Sequence, residues 1–279
     1  MPQDFGGKVV AITGAGSGIG RETALAFARR GARLALCDID NESLLNVRRE
    51  TETLGSETFA APVDVSDADQ VERFCENTFH EMGRVDVLVN NAGVGMGGKF
   101  EHMTLEDWQW IMGVNLWGVV NGCHFFYPRM VAQGGGHIVN VASGAAMAPL
   151  PTMTAYCCTK SAVLGFSETL RPEAALHGIG ISAICPGLIR TNITKTSRYC
   201  SDMRRSTAGE IMERVDRFYE KRNYPPSKVA AAILKAVERN KGVVPVSPEV
   251  YLLDATHRLS RRLWDAMLKV NVRIADRFL

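Results

Sequence analysis

The sequence lacks the features that mark secreted, metal-binding and membrane-spanning proteins. None of its seven cysteines forms a Cys-x-x-Cys pair, and its six histidines show no metal-ligand spacing. We therefore expect reduced thiols, no bound metal and a cytoplasmic location. No apolar run approaches the ~18 residues that a transmembrane helix needs. The opening MPQDFGGKVVAITG has no basic stretch followed by an apolar one, so no signal peptide is expected.

An excess of charge of one sign is missing as well. The 32 basic and 30 acidic side chains give a formal net charge of +2. This balance offers no electrostatic reason to expect nucleic acid or an anionic membrane as a partner. Hydrophobic residues make up 46% of the chain and charged residues 22%, a mixture typical of a globular protein with a sizeable core.

Short apolar runs alternate with amphipathic stretches along most of the chain, including a long helical stretch predicted over 104–133. Because this alternation is typical of a parallel sheet covered on both faces, we predict a doubly wound α/β fold, the Rossmann type, with about seven strands. No linker, repeat or low-complexity segment divides the chain, so one domain is predicted over 1–279. The strand-like runs are KVVAITG, RLALCD, ETFAAPVDVS, VDVLVNNAG, GHIVNVAS, IGISAICPG and GVVPVS.

Two segments depart from this alternation. Residues 188–225 are polar and follow the sixth strand-like run, where ligands of open parallel sheets bind, so we predict a lid there. Residues 249–279 predict an amphipathic helix. This helix packs on its own subunit or a partner in one interpretation, and lies in a membrane interface in the other. Its apolar face comprises Leu259, Leu263, Met267, Val270, Ile274 and Phe278, opposite Arg258, Arg262, Lys269, Arg273 and Arg277.

The segment TGAGSGIG at 13–20 follows the first strand-like run and opens the first helix. Gly14 allows a tight turn, Gly18 lets the backbone approach a pyrophosphate, and Gly20 lets the helix pack closely on the strand. The helix N-terminus adds free N–H groups and the positive end of its dipole. The segment predicts a dinucleotide site, although its spacing differs from the common Gly-x-Gly-x-x-Gly. The alternative is a glycine-rich turn with no ligand.

Asp38 ends the second strand-like run, where a carboxylate can accept hydrogen bonds from the adenosine ribose of a dinucleotide. Such a carboxylate repels a 2′-phosphate, and neither Ser17 nor Ile39 nearby is basic. NAD is therefore predicted over NADP. The alternative is that Asp38 only caps a turn together with Asp40.

The stretch TAYCCTK at 154–160 places Tyr156 and Lys160 one helical turn apart, on one face of a predicted helix. A tyrosine is a poor base at neutral pH, and an ammonium group on the same face lowers its pKa. Cys157 and Cys158 point elsewhere, and we interpret them as small packing residues against a neighbouring helix or a subunit interface.

Residues 6–195 resemble the short-chain dehydrogenase/reductase family in the order and spacing of six motifs. These are TGAGSGIG at 13–20, NNAG at 90–93, Asn115, Ser143, YCCTK at 156–160 and PGLIRT at 186–191. The resemblance implies an oxidoreductase that moves hydride between NAD(H) and a secondary alcohol or ketone. The chain also resembles members that act on bulky hydrophobic alcohols and ketones, and the reductase halves of hydrolase–reductase fusions. We expect a homodimer or homotetramer.

The resemblance also implies roles for individual residues. Tyr156 is the expected acid/base, Lys160 lowers its pKa and binds the nicotinamide ribose, and Ser143 binds the substrate oxygen. Asn115 is similar to the family's residue that holds a water molecule in a proton relay to Lys160. The implied cofactor-binding residues, besides Tyr156 and Lys160, are Gly14, Ser17, Gly18, Ile19, Gly20, Asp38, Asp64, Val65, Asn91, Gly93, Pro186, Gly187, Ile189 and Thr191.

The substrate end of the site is defined less well by the sequence, and we predict a hydrophobic alcohol or ketone. The alternatives are a 3-ketoacyl thioester reductase and, in another class, a non-catalytic NAD-binding regulator. The residues expected around an apolar entrance are GMGGKF at 95–100, Met147, Leu150, Met153 and Leu188. A group of basic residues forms either a solvated lid face or a site for an anionic substrate such as a CoA thioester, namely Arg190, Lys195, Arg198, Arg204 and Arg205.

Overall fold

The computed structural model describes residues 5–191, 193, 196–200, 217, 222–260, 262, 264, 266, 268 and 269. The strands are β1 Val9–Thr13, β2 Arg33–Asp38, β3 Thr58–Pro62, β4 Val87–Asn90, β5 Met96–Gly98, β6 Gly136–Val141, β7 Ile179–Cys185, β8 Arg198–Cys200 and β9 Val243–Pro245. The helices are α1 Gly18–Ala28, α2 Asn41–Thr53, α3 Ala68–Met82, α4 Leu105–Met112, α5 Gly118–Ala132, α6 Gly144–Met147, α7 Thr154–Ala175, α8 Pro226–Glu238 and α9 Pro248–Leu259.

Seven strands form one parallel sheet in the order β3-β2-β1-β4-β6-β7-β9. The chain builds outward from β1 on one side and from β4 on the other, so the order reverses between these two strands. In open parallel sheets a ligand cleft forms at such a reversal, beyond the carboxyl ends of the strands. The predicted doubly wound α/β fold is confirmed.

The core lies in two layers, one on each face of the sheet. Successive side chains of a strand point to opposite faces, and β1 shows this directly. Val9 and Ala11 belong to the layer with side chains from α3, α5 and α7. Val10 and Ile12 belong to the layer with side chains from α1, α2 and α8. Burial on both faces explains why the strands are apolar runs rather than alternating sequences.

The helical stretch predicted over 104–133 consists of three parts. Thr104 begins α4 with a capping box, in which its side chain and that of Asp107 bind each other's backbone N–H groups. A π-helical turn, Gly113–Trp117, follows α4 and leads directly into α5. Such a turn holds one extra residue within a helical stretch and is common at functional sites.

A second, small sheet joins two segments that the sequence did not associate. Strand β5 pairs in parallel with β8, so that Met96 lies opposite Arg198 and Gly98 opposite Cys200. The run GMGGKF was expected at the site entrance without a predicted strand, and its middle part forms β5. The two strands are about a hundred residues apart in the chain, so no local pattern signals their pairing.

The C-terminal prediction requires a correction. Helix α9 ends at Leu259 because Ser260 has an extended backbone, and the helical residues that follow start a new turn. Spacing counted across this break does not define one face. Leu259, expected on the buried stripe, is 85% exposed, whereas Trp264 is buried against His257. Leu263, Met267, Val270, Ile274, Phe278, Arg273 and Arg277 lie outside the described residues.

Within the described part of the chain, no helix combines the length and the apolar character that crossing a bilayer requires.

All seven cysteines are free thiols. Cys157 is buried, as a packing residue should be, and its thiol interacts with the backbone of Leu150. Cys158 is exposed, so it is not a packing residue within this chain. Its place at a subunit interface stays a prediction.

Candidate active site

One cleft of about 440 Å³ lies beyond the carboxyl ends of the strands, at the reversal of strand order. It is open along one side and is lined by both polar and apolar groups. The structure brings into it every predicted site residue except Gly20 and Asn115, which support its wall from behind. The lining residues are Gly14, Ser17, Gly18, Ile19, Asp38, Ile39, Val63, Asp64, Val65, Ser66, Asn91, Ala92, Gly93, Val94, Trp110, Val114, Val141, Ala142, Ser143, Tyr156, Lys160, Pro186, Gly187, Ile189, Thr191, Ile193 and Thr196.

The glycine-rich turn between β1 and α1 leaves no room for side chains. Gly14 has a positive φ of 64°, and a Cβ atom there would lie 2.7 Å from the Cα of Ala92. A Cβ at Gly20 would overlap the carbonyl oxygen of Gly14. The amide of Asn91 fixes this turn to the end of β4, since its Nδ2 donates to the carbonyl oxygens of Thr13 and Gly14, both at 2.9 Å.

The N-terminus of α1 faces the cleft with its backbone N–H groups available. Ser17 is the N-cap residue, but its side chain accepts no hydrogen bond from the first turn. The first N–H groups of a helix have no intrahelical acceptor, and together with the helix dipole they form an anion site. The glycine cradle and this uncapped helix end fit the pyrophosphate of a dinucleotide.

Asp38 both supports the glycine-rich turn and faces the cleft. Its Oδ2 accepts the Gly16 N–H at 2.8 Å and its Oδ1 accepts the Asp40 N–H at 3.0 Å. Asp40 itself caps α2, so the turn interaction offered as the alternative is present. Each carboxylate oxygen keeps a lone pair for another donor, such as a ribose hydroxyl. Ile39, 72% exposed, lies beside it.

Asp64 and Val65 follow β3 and form the far end of the cleft. The Asp64 Oδ1 accepts the backbone N–H and the hydroxyl of Ser66, at 2.9 and 2.7 Å. The Asp64 N–H donates to the Gln70 side chain at 3.0 Å. Val65 is buried, and its carbonyl accepts the Asn121 Nδ2 at 3.0 Å. This end of the cleft is therefore a corner held by local hydrogen bonds at Asp64 and by the distant Asn121 at Val65.

Asn115 lies in the π-helical turn and is fully buried. Its Oδ1 accepts the Val94 N–H at 2.8 Å, and its Nδ2 donates to the Val94 carbonyl at 2.9 Å and to Thr159 Oγ1 at 3.3 Å. Asn115 thus connects the segment after β4 to α7. A Cβ at Gly93 would lie 3.3 Å from both Asn115 Oδ1 and Lys160 Nζ, so the three residues meet at one point.

Ser143 and Tyr156 face each other across the cleft. Ser143 follows β6 and caps the short helix α6, where its Oγ accepts the Ala145 N–H at 3.1 Å. Tyr156 lies in the first turn of α7 and is buried. Burial raises the pKa of the Tyr156 phenol, and the hydrogen bond with Ser143 offsets only part of this rise.

Lys160 lies one turn after Tyr156 on α7, as the spacing predicted. Its Nζ donates to the Val141 carbonyl at 3.0 Å, at the end of β6. Burial lowers the pKa of the Lys160 ammonium to about 8. The Nζ is 5.9 Å from the centre of the Tyr156 ring. The lowering of the Tyr156 pKa expected from Lys160 is not found, because burial of the phenol raises that pKa.

The loop after β7 closes the cleft at the end where Tyr156 lies. Gly187 has no room for a side chain, since a Cβ there would lie 2.6 Å from the Glu249 carboxylate. Ile189 is buried and Thr191 is partly exposed, and both line the cleft. This loop was predicted from the PGLIRT motif, whereas nothing in the sequence indicated that Glu249 of α9 lies against it.

The apolar residues expected around the entrance do not line the cleft. Met147 is buried in the core against α7, and Leu150, Met153 and Leu188 are absent from the described lining. Helical and loop spacing alone did not show which way these side chains point. The apolar lining residues that pack beside Tyr156 are Val94 and Trp110, and Ile193 lies next to Gly95.

The basic residues near the cleft are only partly described. Lys195, Arg204 and Arg205 lie outside the described residues, as do 192, 194, 201–216 and 218–221 of the predicted lid. Arg190 is exposed. The Arg198 guanidinium lies over the Trp110 ring, 4.0 Å from its centre, and 3.7 Å from the Asp107 carboxylate. Among the described residues that line the cleft, Lys160 is the only cation.

Comparison with known proteins agrees with this geometry. A family model described as short chain dehydrogenase matches residues 8–200. The probable oxidoreductase EphD of Mycobacterium tuberculosis is 45% identical over 260 residues, which cover 91% of this chain and 43% of EphD. The chain thus spans less than half the length of that relative. The putative oxidoreductase SadH of the same organism is 32% identical over 272 residues, with 96% of both chains covered.

A solved structure is similar over nearly the whole chain. A short chain dehydrogenase/reductase from Burkholderia phymatum, crystallised in complex with NAD, superposes with a TM-score of 0.85 at 31% identity, covering 95% of this chain and 96% of that one. The fold, the cleft at the strand reversal and the match over residues 8–200 lead to one conclusion. The chain belongs to the short-chain dehydrogenase family.

Proposed function

We propose that this protein is an NAD(H)-dependent oxidoreductase that interconverts an apolar secondary alcohol and its ketone. The observation that carries the proposal is the meeting of Ser143, Tyr156 and Lys160 in the same cleft as an uncapped helix N-terminus on a glycine cradle. A proton-transfer group and a dinucleotide cradle in one cleft are what hydride transfer to a carbonyl requires. EphD and SadH are both described as oxidoreductases.

The cleft residues fit NAD from one end to the other. The turn at Gly14–Gly18 and the α1 N-terminus would hold the pyrophosphate. The Asp38 carboxylate would accept the ribose hydroxyls, and the corner at Asp64 and Val65 would hold the adenine. NAD, when bound, supplies or accepts the hydride. No cation near Asp38 is available for a 2′-phosphate, because the only described lining cation is Lys160.

Tyr156 would move the proton at the substrate oxygen. Since burial raises its pKa, the phenol stays protonated at neutral pH and can donate to the oxygen of a ketone as negative charge develops. The Ser143 hydroxyl would donate a second hydrogen bond to that oxygen. Lys160, held on the Val141 carbonyl, would bind the nicotinamide ribose. Asn115, bound to Val94 and to Thr159, would fix the part of α7 that carries Lys160.

The substrate class follows from the walls around Tyr156. Val94, Trp110 and Ile193 offer apolar surface, and Lys160, the only described cation of the lining, is held on the Val141 carbonyl and assigned to the nicotinamide ribose. Arg198, which does not line the cleft, is engaged by Trp110 and Asp107. These contacts favour an uncharged apolar alcohol or ketone over the acyl thioester considered as the alternative.

A homo-oligomer and a cytoplasmic location are also proposed. Trp117, in the π-helical turn, and Leu105, at the start of α4, are 55% and 76% exposed. Large apolar side chains exposed along one helical stretch favour association with a second copy. Light scattering in solution would distinguish a dimer or tetramer from a monomer.

The test is turnover with purified protein. NAD is supplied with a panel of lipophilic secondary alcohols, and NADH formation is followed by absorbance. We expect turnover of at least one alcohol, none with Tyr156→Phe, and little with a 3-hydroxyacyl thioester. Tight NAD binding with no turnover of any alcohol or ketone would instead support the NAD-binding regulator.

A further inference from the structure

Trp110 is the largest side chain at the end of the cleft where Tyr156 lies. It is half-buried in the second turn of α4 and lines the cleft with Val94 and Ile193. It also packs on a buried cluster that contains Tyr156, Ala155 and Met96. An indole in this place is near the carbon that Tyr156 would serve.

The orientation of the indole is fixed by Arg198. The guanidinium lies over the ring at 4.0 Å from its centre, a separation at which the cation is attracted to the ring face. One face of the indole is thereby covered, and the rest of the ring packs on the buried cluster and lines the cleft.

Arg198 is itself held from two sides. It begins β8, where its backbone N–H donates to the Gly95 carbonyl at 3.1 Å, and its side chain lies 3.7 Å from Asp107. Asp107 is part of the capping box of α4, the helix that also carries Trp110. The small β5–β8 sheet and the start of α4 therefore hold the Arg198 guanidinium over the Trp110 ring.

We infer that Trp110 is a specificity-determining residue that selects alcohols and ketones with a flat apolar group next to the reacting carbon. Arg198 is the positioning residue that holds the indole. The inference rests on the proposed function and names the substrate class of the same site. An aromatic wall favours a planar partner, because rings prefer offset or edge-to-face contact, and the neighbouring walls are aliphatic.

The experiment compares two alcohols of different bulk with matched variants. The substrates are 1-phenylethanol and 2-butanol, assayed with NAD, and the variants are Trp110→Ala, Trp110→Phe and the control Trp108→Ala. Trp108 lies on the same helix and packs on the same cluster, yet it contacts Phe100 and is absent from the described lining of the cleft. It reports general loss of packing in α4.

We expect Trp110→Ala to lower kcat/KM for 1-phenylethanol about 10- to 100-fold more than for 2-butanol, the usual range for lost apolar contact in a pocket. Trp110→Phe should keep most of the preference and Trp108→Ala all of it. Arg198→Met should lose part of the preference without changing the affinity for NAD. An equal effect of Trp110→Ala on both alcohols, or the same change of preference in Trp108→Ala, overturns the inference.

A binding measurement separates this inference from the proposed reaction. In the Tyr156→Phe background, saturated with NAD, calorimetry should show that Trp110→Ala weakens binding of 1-phenylethanol and Trp108→Ala does not. If the wild type turns over neither alcohol but this difference in binding is found, the reaction is wrong and the role of Trp110 stands. If 1-phenylethanol does not bind, or binds equally to both variants, the role of Trp110 is wrong.

Discussion

The backbone N–H of Leu188 donates to the carboxylate of Glu249 at 3.3 Å, although the two residues are 61 positions apart. The other carboxylate oxygen of Glu249 accepts Arg222 Nη2 at 2.7 Å. Arg222 lies over the Tyr224 ring, and the Tyr224 carbonyl accepts the Arg190 N–H at 2.9 Å. Through Glu249, helix α9 thus fixes both the loop after β7 that closes the cleft and the segment at Arg222 that precedes α8.

Replacing Glu249 by glutamine should loosen this loop. Glu249→Gln removes the charge that Arg222 and the Leu188 N–H share, so we expect a loss of about 1 kcal/mol of unfolding free energy and a lower kcat. Asp254→Asn is the control, because it breaks an exposed pair with Arg258 on the same helix. Chemical denaturation and steady-state rates would measure both. A control that loses as much activity as Glu249→Gln contradicts the positioning role.

The same carboxylate makes a prediction about acid. Although burial opposes ionisation of Glu249, the hydrogen bonds around its carboxylate hold its pKa below the ordinary value. A carboxyl group with a lowered pKa stabilises the fold above its unfolded pKa and loses this contribution as the pH falls through the folded pKa. The stability difference between wild type and Glu249→Gln should therefore shrink below about pH 4.5.

Tyr156→Phe should abolish turnover and spare cofactor binding. The variant keeps the buried ring and removes the hydroxyl that carries the proton, so we expect at least ~100-fold loss in kcat. Tyr127→Phe, on α5 and absent from the described lining of the cleft, is the matched control and should keep full activity. Near wild-type turnover by Tyr156→Phe would show that another group supplies the proton.

Asp38 should determine the choice between NAD and NADP. Asp38→Ala with Ile39→Arg removes a repulsive carboxylate and adds a cation, so the ratio of kcat/KM values should shift toward NADP. Asp40→Ala is the control. It removes the cap of α2 and should cost about 1 kcal/mol in stability, with no change in preference. Equal use of both cofactors by the wild type would contradict the role assigned to Asp38.

Lys160 should give the fold a distinctive alkaline behaviour. Its folded pKa of about 8 lies below its usual 10.5, so between these pH values the unfolded chain holds a proton that the folded chain has released. The contribution of Lys160 to stability therefore rises with pH across this window, by roughly 3 kcal/mol at most. It should be absent from Lys160→Met.

This effect must be measured as a difference between wild type and variant. Burial raises the pKa of several cysteines, among them Cys75 and Cys123 to about 12. Their unfolded thiols ionise first, which lowers the stability of both proteins as the pH rises. Urea unfolding of wild type and Lys160→Met between pH 7 and 11 separates the two contributions, and a constant difference would contradict the prediction.

Much of the fold followed from local sequence. The apolar runs and the glycines at 14, 18 and 20 predicted the strand–turn–helix unit because strands buried on both faces and tight turns leave strong local patterns. Once parallel strands were expected, the ends of their runs had to meet at one edge of the sheet. Asp38 could therefore be placed beside the glycine-rich turn before any contact was known, and the family resemblance added Asp64, Asn91 and Ser143.

The remaining features depend on contacts between distant segments. The pairing of β5 with β8, the stacking of Arg198 on Trp110 and the bond from Leu188 to Glu249 each join residues about 60 to 100 positions apart. A helix face predicts which residues are neighbours, but it does not predict how much water surrounds them. The pKa of Tyr156 was expected to fall because of Lys160, and it rises because burial of the phenol is the larger effect.

Because of the π-helical turn at Gly113–Trp117, a one-residue change in the length of this part of the chain would alter the cleft wall. Each residue of an α-helix turns the chain by about 100°. The one extra residue in the π-helical turn therefore adds a rotation of that size between α4 and α5. Deleting a single residue from the turn would leave a regular helix and would rotate Trp110 and Asn121 relative to each other by that angle. Homologous chains that are one residue shorter here would then present a different wall to the substrate while keeping every strand of the sheet.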